Sequence, residues 1–258
     1  MQLDKIIVAL RQRTAWESMD LGVMVMRKLW PILLFPWLIL MSLSFLFATS
    51  AALQGYFYFS MFFIWWVKPV YDSLILHVLS RGIFGEYVNT PGIYTSMGEW
   101  LKTGVKTSIF VWRFSPSRSF DMSVNQLEGL NGYERRKRLQ ALHRVTGSHS
   151  MAATILGIHF EYLIAITIYA VIFYVMPDTS SSFIDTMKES PESQTAWLIL
   201  GLAIYAVTVF ILEPFYVAAG FMLYLNRRTQ LEGWDIELDF KRLAQRVSES
   251  QGQVLSDG

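Results

Sequence analysis

The stretch PILLFPWLILMSLSFLFATSAAL, residues 31–53, decides the fold class of this chain. It contains no charged residue, and it exceeds the about 20 apolar residues that a helix needs to cross the hydrocarbon core of a bilayer. Three further long apolar stretches cover residues 56–80, 151–176 and 196–225. Because only helices and closed barrels satisfy the backbone polar groups in lipid, the sequence predicts an all-α polytopic membrane protein with four transmembrane helices.

Composition and motifs restrict the chemistry. Only 17% of the 258 residues are charged, whereas soluble chains average about 25%. The chain has no cysteine, which excludes disulfides, thiolate nucleophiles and zinc sites built on cysteine. It also lacks the sequence motifs of P-loops, dinucleotide-binding loops, zinc proteases and serine hydrolases, and its four histidines do not form a helical metal pair. We therefore expect no enzymatic activity, no cofactor and no metal site.

The lysines and arginines predict the orientation. Outside the spans they precede the first one, lie between the second and third, or follow the fourth, and only Lys188 lies in the segment 177–195. Because cytoplasmic loops are enriched in basic residues, we expect a protein of the bacterial inner membrane with both termini in the cytoplasm and an outward loop at 177–195. The predicted parts begin with an N-terminal interfacial helix (1–30), two spans (31–80) and a cytoplasmic segment with amphipathic helices (81–149). Two further spans (150–225) and a cytoplasmic C-terminal helix with a tail (226–258) follow.

The stretch TAWESMDLGVMVMRKLW, residues 14–30, has apolar residues at helical spacing before the first span. This pattern favours an interfacial helix on the inner leaflet over a helix that binds a partner, because tryptophan and basic residues prefer the headgroup region. The small residues of ATSAAL, at 48–53, imitate a signal-peptide cleavage site. The preceding stretch is longer than an ordinary n-region, so we expect the first span to be retained.

The middle segment predicts three cytoplasmic helices. Residues 94–112 are apolar on one side and predict an interfacial or re-entrant helix. Two shorter helices are expected near 124–130 and 132–146, each opened by a capping box, with a glycine as the stop of the second. The capping residues are Ser123 with Gln126 and Asn131 with Glu134, and the stop is Gly147.

Basic residues cluster in the middle segment and after the fourth span. The cluster RRKR consists of Arg135, Arg136, Lys137 and Arg138, and the fourth span is followed by Arg227 and Arg228. Anionic lipid attracts juxtamembrane basic residues by about 1 kcal/mol each, and no surrounding domain is typical of nucleic-acid binding. We therefore expect contacts with anionic headgroups or a partner protein and none with nucleic acid.

Several ionisable residues lie inside the predicted spans, where such residues are costly and face the bundle interior or water. Counted along the helices from their outer ends, they share one layer in the inner half of the bilayer, and a proline lies beside two of them. Two readings stay open: an ion-paired cluster that holds the helices together, which we favour, or a site that handles protons, ions or a substrate headgroup. The predicted cluster contains Lys68, Asp72, His159, Glu161 and Glu213, with His77 as a further hydrogen-bonding member.

The C-terminal stretch WDIELDF, residues 234–240, alternates apolar and acidic residues as a strand would. Its continuation favours a helix instead, because Ile236, Phe240 and Leu243 lie at helical spacing, with acidic residues first and basic residues last. Gly233 is the predicted hinge after the fourth span. We expect a docking helix on the membrane or on the middle segment, with Trp234 as its anchor.

Four stretches together resemble signatures of an uncharacterised family of proteobacterial polytopic inner-membrane proteins. They are AWESMDLGVMVMRKLW, WWVKPVYDSLILHVLSRGIFGE, RFSPSRSFDMSVNQLEG and FYVAAGFMLYLNRRTQLEGWDIELDFKRLA. Such families are typically encoded near transglutaminase-like membrane proteins and MoxR-type AAA ATPases. The resemblance implies a subunit of a multi-component envelope assembly, and it brings no catalytic or binding residue with it.

The leading functional hypothesis is a non-enzymatic membrane scaffold or assembly subunit that gathers other membrane or cytoplasmic proteins. The alternative is a small transporter or lipid-handling protein that uses the charged layer. Self-association is expected if four helices cannot cover the charged layer or the aromatic stretch YFYFSMFFIWW at 56–66.

Overall fold

The structure is a computed structural model. It describes residues 8–9, 11–86, 90–96, 98, 115–175, 191–234, 236–237, 240 and 243, and these contain helices and no strand. The helices are α1 (Ala15–Leu53), α2 (Phe57–Ile83), α3 (Thr90–Thr95), α4 (Arg118–Ser123), α5 (Gly132–Val175) and α6 (Pro191–Glu232). A π-helical turn, Val124–Glu128, continues α4.

Four helices, α1, α2, α5 and α6, are long and apolar enough to cross a membrane, which confirms the predicted fold class. They run alternately up and down. We call the end at which α1 and α5 begin the basic end, and the opposite end, at which α2 and α6 begin, the loop end. Most of the predicted outward loop 177–195, most of the predicted helix 94–112 and all of residues 244–258 lie outside the described residues.

α1 is one helix of 39 residues that contains both the predicted interfacial segment and the first span. It begins after Thr14, whose hydroxyl accepts a hydrogen bond from the Glu17 backbone N–H at 3.2 Å. Pro31 lies inside the helix without ending it, since a proline costs a spanning helix few backbone hydrogen bonds and neighbouring helices support the flanking turns. Met19 and Met26 are buried in the protein. The segment 14–30 is therefore packed against the bundle and is not a separate helix on the lipid surface.

α5 also joins two predicted elements, because it runs unbroken for 44 residues through the expected stop at Gly147. Gly147 lacks the positive φ of a helix-ending glycine, and an apolar sequence follows it directly, so nothing stops the helix there. The predicted cap Ser123 lies inside α4, where its hydroxyl donates to the Ser119 carbonyl at 3.3 Å. The helix that contains it ends instead at Gly129, whose φ is 64°.

The core lies where α1 and α6 pack together along their length, with α2 against both. α1 and α6 approach closely at Gly22, where an added Cβ would lie 2.5 Å from the Ala218 carbonyl oxygen. α5 is peripheral and packs mainly on α6. No residue in the most apolar stretch of α5 is buried within the chain, in contrast to the other three long helices.

The short helix α4 lies at the basic end of the bundle and packs against α6. Its residues Ser119–Ser123 are all buried, and an added Cβ on Gly220 of α6 would lie 2.1 Å from the Ser119 hydroxyl oxygen. The absence of a side chain at Gly220 therefore lets α4 approach α6 closely. This placement carries Arg118, the first residue of α4, into the bundle.

The chain turns at Gly233, whose φ of 65° is the left-handed conformation expected of the predicted hinge. The described residues beyond it, Trp234, Ile236, Glu237, Phe240 and Leu243, are helical. The Glu237 N–H donates to the Gly233 carbonyl at 3.0 Å. A strand at 234–240 is therefore excluded for the residues that the structure describes.

Candidate functional site: a charged cluster inside the bundle

Lys68 of α2 forms the centre of a cluster of ion pairs between helices. Its Nζ lies 2.9 Å from Oε2 of Glu213 on α6, and it also contacts Oε1 of Glu161 on α5. The Glu213 side chain is 1% exposed and the Glu161 side chain 21% exposed. One ammonium group therefore joins α2 to two other spanning helices.

Arg118 completes the cluster from the basic end. Its Nε lies 2.8 Å from Oδ2 of Asp72 on α2, and its Nη2 donates to Oε1 of Glu213 at 2.5 Å. The guanidinium also lies 5.4 Å from the centre of the Tyr216 ring, within the range of a cation–π contact. Glu213 thus binds Lys68 through one oxygen and Arg118 through the other.

Among the residues that the structure describes, the charges of the cluster do not cancel. It holds two cations, Lys68 and Arg118, and three carboxylates, Asp72, Glu161 and Glu213, so its formal charge is −1 when every group is ionised. An uncompensated charge in a low-dielectric interior is costly, so this excess favours a further cation beside the carboxylates. Glu161 is the carboxylate most open to such a partner, because it is the most exposed of the three.

A cavity of about 280 Å³ adjoins the cluster and is lined by α2, α5, α6 and the segment 115–118. Lys68, Arg118 and Glu161 contribute to its wall. The hydroxyls of Thr154 and Tyr216, 3.0 Å apart, lie on the same wall. The remaining lining residues are Trp65, Ser115, Pro116, Ile155, Gly157, Ile158 and Leu212. The cavity combines charged groups with apolar walls and could hold water or a small polar group.

A second polar group lies just outside the cluster, around Asp121 of α4. The Ser115 hydroxyl donates to Oδ2 of Asp121 at 2.6 Å, and Nε2 of His143 lies 2.6 Å from Oδ1. These residue types occur in hydrolase triads, but here the aspartate stands between the serine and the histidine. No described histidine therefore contacts the serine hydroxyl as it would in a triad, and the arrangement anchors α4 to α5.

Four of the five predicted cluster residues meet in the structure: Lys68, Asp72, Glu161 and Glu213. The fifth, His159, lies apart on an exposed face of α5, where its Nδ1 is 2.7 Å from the Ile155 carbonyl oxygen. It is two residues from Glu161, and residues at that spacing point to different sides of a helix. His77 is buried elsewhere, with Nε2 2.9 Å from the Ser96 hydroxyl.

Sequence reasoning missed Arg118, which stands in a polar segment that hydropathy assigns to the cytoplasm. A signal was present in the charge balance. The predicted layer held one lysine against three carboxylates, and this imbalance favours a second cation from outside the spans. Nothing in the local sequence distinguishes Arg118 from nearby arginines, because its placement depends on how α4 packs.

Most of the predicted headgroup-binding residues are bound within the chain. Arg138 pairs with Glu128 at 2.7 Å and with Glu232, and Arg228 pairs with Glu232 at 2.8 Å. Arg228 also lies over the ring of Trp234, 4.4 Å from its centre, so the predicted anchor Trp234 is buried at the end of α6. The other residues of the set divide by exposure: Arg135 and Arg227 are buried, and Arg136 and Lys137 are exposed.

The pairs around Glu128 and Glu232 form a polar network between the π-helical turn, α5 and α6. The Tyr224 hydroxyl extends it by donating to Oε1 of Glu128 at 2.7 Å. These arginines therefore hold the basic end together and are not available to lipid as free cations.

No family model matches the chain, and no curated protein or solved structure shows significant similarity to it.

Proposed function

We propose that this chain is a non-enzymatic integral scaffold or assembly subunit of a multi-component complex in the bacterial inner membrane, with its basic end in the cytoplasm. The observation that carries the proposal is the pairing of Lys68 and Arg118 with carboxylates from three spanning helices. Breaking a buried ion pair typically costs about 3–5 kcal/mol, so such a cluster resists separation of its helices. A bundle whose helices are held together in this way offers a constant surface to partner proteins, as a scaffold must.

The surface most open to a partner is the outward face of α5. The residues Tyr162, Leu163 and Ile166 are exposed there, and α5 is the span with no buried residue in its most apolar stretch. Lipid can cover such a face, but a partner helix gains packing contacts that fluid lipid chains do not supply. We propose this face as the main contact with other membrane subunits.

A native gel of membranes solubilised in mild detergent tests the scaffold proposal. The tagged 29.8 kDa chain is expected to migrate in an assembly larger than the purified protein. The double substitution Leu163→Trp and Ile166→Trp should shift it to the smaller form without lowering its thermal stability. Leu46→Trp on the exposed face of α1 is the matched control and should leave the assembly intact. If the chain extracted from its native membrane migrates at the same size as the purified protein, the proposal is contradicted.

A second candidate function, ion transport or lipid handling, is favoured by the cavity beside Lys68 and Glu161. Reconstitution into liposomes that carry an internal pH indicator separates the two functions. A transporter that uses the cluster should give a proton or ion flux that Glu161→Gln abolishes. A scaffold should give no flux above that of protein-free liposomes, whichever residue occupies position 161.

A further inference from the structure

A second and larger cavity, of about 690 Å³, lies at the basic end between the start of the described chain, α1 and the last turn of α2. One face of α1 forms much of its wall, because Leu21, Val25, Lys28 and Leu29 lie at helical spacing. The complete set of described lining residues is Val8, Ala9, Arg13, Leu21, Met24, Val25, Arg27, Lys28, Leu29, Gly82 and Ile83.

The charge of this cavity has a single sign. Arg13, Arg27 and Lys28 contribute to its wall, and none of its described lining residues is acidic. Arg27 and Lys28 are exposed, and neither has an ion-pair partner among the described residues. Arg13 lies 3.5 Å from Glu17, which also pairs with Arg11, and its Nη1 donates to the Arg11 carbonyl oxygen at 3.4 Å. The cavity therefore presents cations that the described residues compensate only in part.

The position of the cavity adds a second constraint. Arg27 and Lys28 stand directly before the uncharged stretch 31–53, at the depth where basic residues meet lipid headgroups. Apart from the three cations, the walls are almost entirely aliphatic, with Leu21, Met24 and Val25 among them. A ligand of matching character carries a negative group beside an apolar body.

We propose that this cavity binds an anionic phospholipid from the leaflet at the basic end. Its phosphate would lie among Arg13, Arg27 and Lys28, with the glycerol and the start of an acyl chain against the aliphatic wall. Leu29 marks the side on which the chains continue into the hydrocarbon region. The site differs from the predicted headgroup contacts, because Arg138 and Arg228 are occupied by carboxylates whereas Arg27 and Lys28 are not. The proposal does not depend on the scaffold function.

Native mass spectrometry of the full chain, released from nanodiscs that contain equal amounts of phosphatidylglycerol and phosphatidylethanolamine, tests the site. The wild-type protein should retain phosphatidylglycerol in preference. Arg27→Gln together with Lys28→Gln should lower that occupancy at least about tenfold, since each basic residue near an anionic lipid contributes a several-fold gain. Met24→Trp should lower it by filling the cavity without changing its charge.

Two controls make each outcome decisive. Arg136→Gln with Lys137→Gln removes two exposed cations outside the cavity lining and should leave occupancy unchanged. Melting curves show that all variants are folded. Equal retention of both lipids, or an equal loss in the control variant, overturns the proposal. Inorganic phosphate added to the purified protein should not displace the lipid, and displacement at millimolar phosphate would show that the site recognises a free anion.

Discussion

Arg118 makes two of the ion pairs of the charged cluster. It contacts Asp72, and it shares Glu213 with Lys68. Without it, two buried carboxylates lose a partner in a region with little access to water. The cost of removing one member of such a buried pair is typically about 3–5 kcal/mol, most of it due to the charge left behind.

We therefore predict that Arg118→Gln lowers the free energy of unfolding by about 3–5 kcal/mol, measured by thermal melting in detergent at neutral pH. Arg118→Lys should recover only part of this loss, because an ammonium group cannot reach Asp72 and Glu213 with the same planar geometry. Arg136→Gln, at an exposed position, is the control and should be close to neutral. Equal melting temperatures for Arg118→Gln and wild type would show that the pairs contribute nothing.

At the scale of the elements, the packing of α1 on α6 depends on the missing side chain of Gly22. We predict that Gly22→Ala destabilises the protein by about 1–3 kcal/mol, because the added methyl group meets the Ala218 backbone at 2.5 Å and the helices must separate. The measurement is the melting temperature in detergent.

Gly147→Ala is the matched control, in a second long helix. The nearest atom to its added Cβ is 3.5 Å away, which is ordinary contact distance. With no clash, the better helix propensity of alanine should stabilise α5 by about 0.5–1 kcal/mol. If both substitutions lowered the stability, or both raised it, the close approach of α1 and α6 at Gly22 would be refuted.

The existence of the four spans could be predicted because each depends on a local quantity, the length of an apolar run. The residues at which the helices begin and end could not be predicted in this way. Gly147 and Pro31 are ordinary signals of a helix end, but both lie inside helices because the sequence on either side continues to favour a helix and neighbouring elements support it. The same limit applies to the site, since four cluster residues lie on spans and were found by depth, whereas Arg118 depends on tertiary packing.

Over the whole molecule, the exposed face of α5 is the surface proposed above for contacts with other subunits, and we expect a second copy of the chain to be one of them. The chain has no cysteine, so a single Ile166→Cys substitution gives an unambiguous probe. In liposomes, mild oxidation should link two copies through position 166 at low protein density. Leu46→Cys on α1 is the control and should link poorly. Equal linkage at both positions would indicate random collision and contradict a specific α5 interface.

Through Lys68 and Glu161, the charged cluster ties the peripheral helix α5 to the rest of the bundle. A double-mutant cycle between Lys68 of α2 and Glu161 of α5 tests this tie, with Lys68→Met, Glu161→Gln and the double variant compared by their free energies of unfolding. We predict strong coupling of at least about 1 kcal/mol, so that the double variant is less destabilised than the sum of the single variants. Additive single effects would contradict the claim and leave the cluster without a role in holding the bundle together.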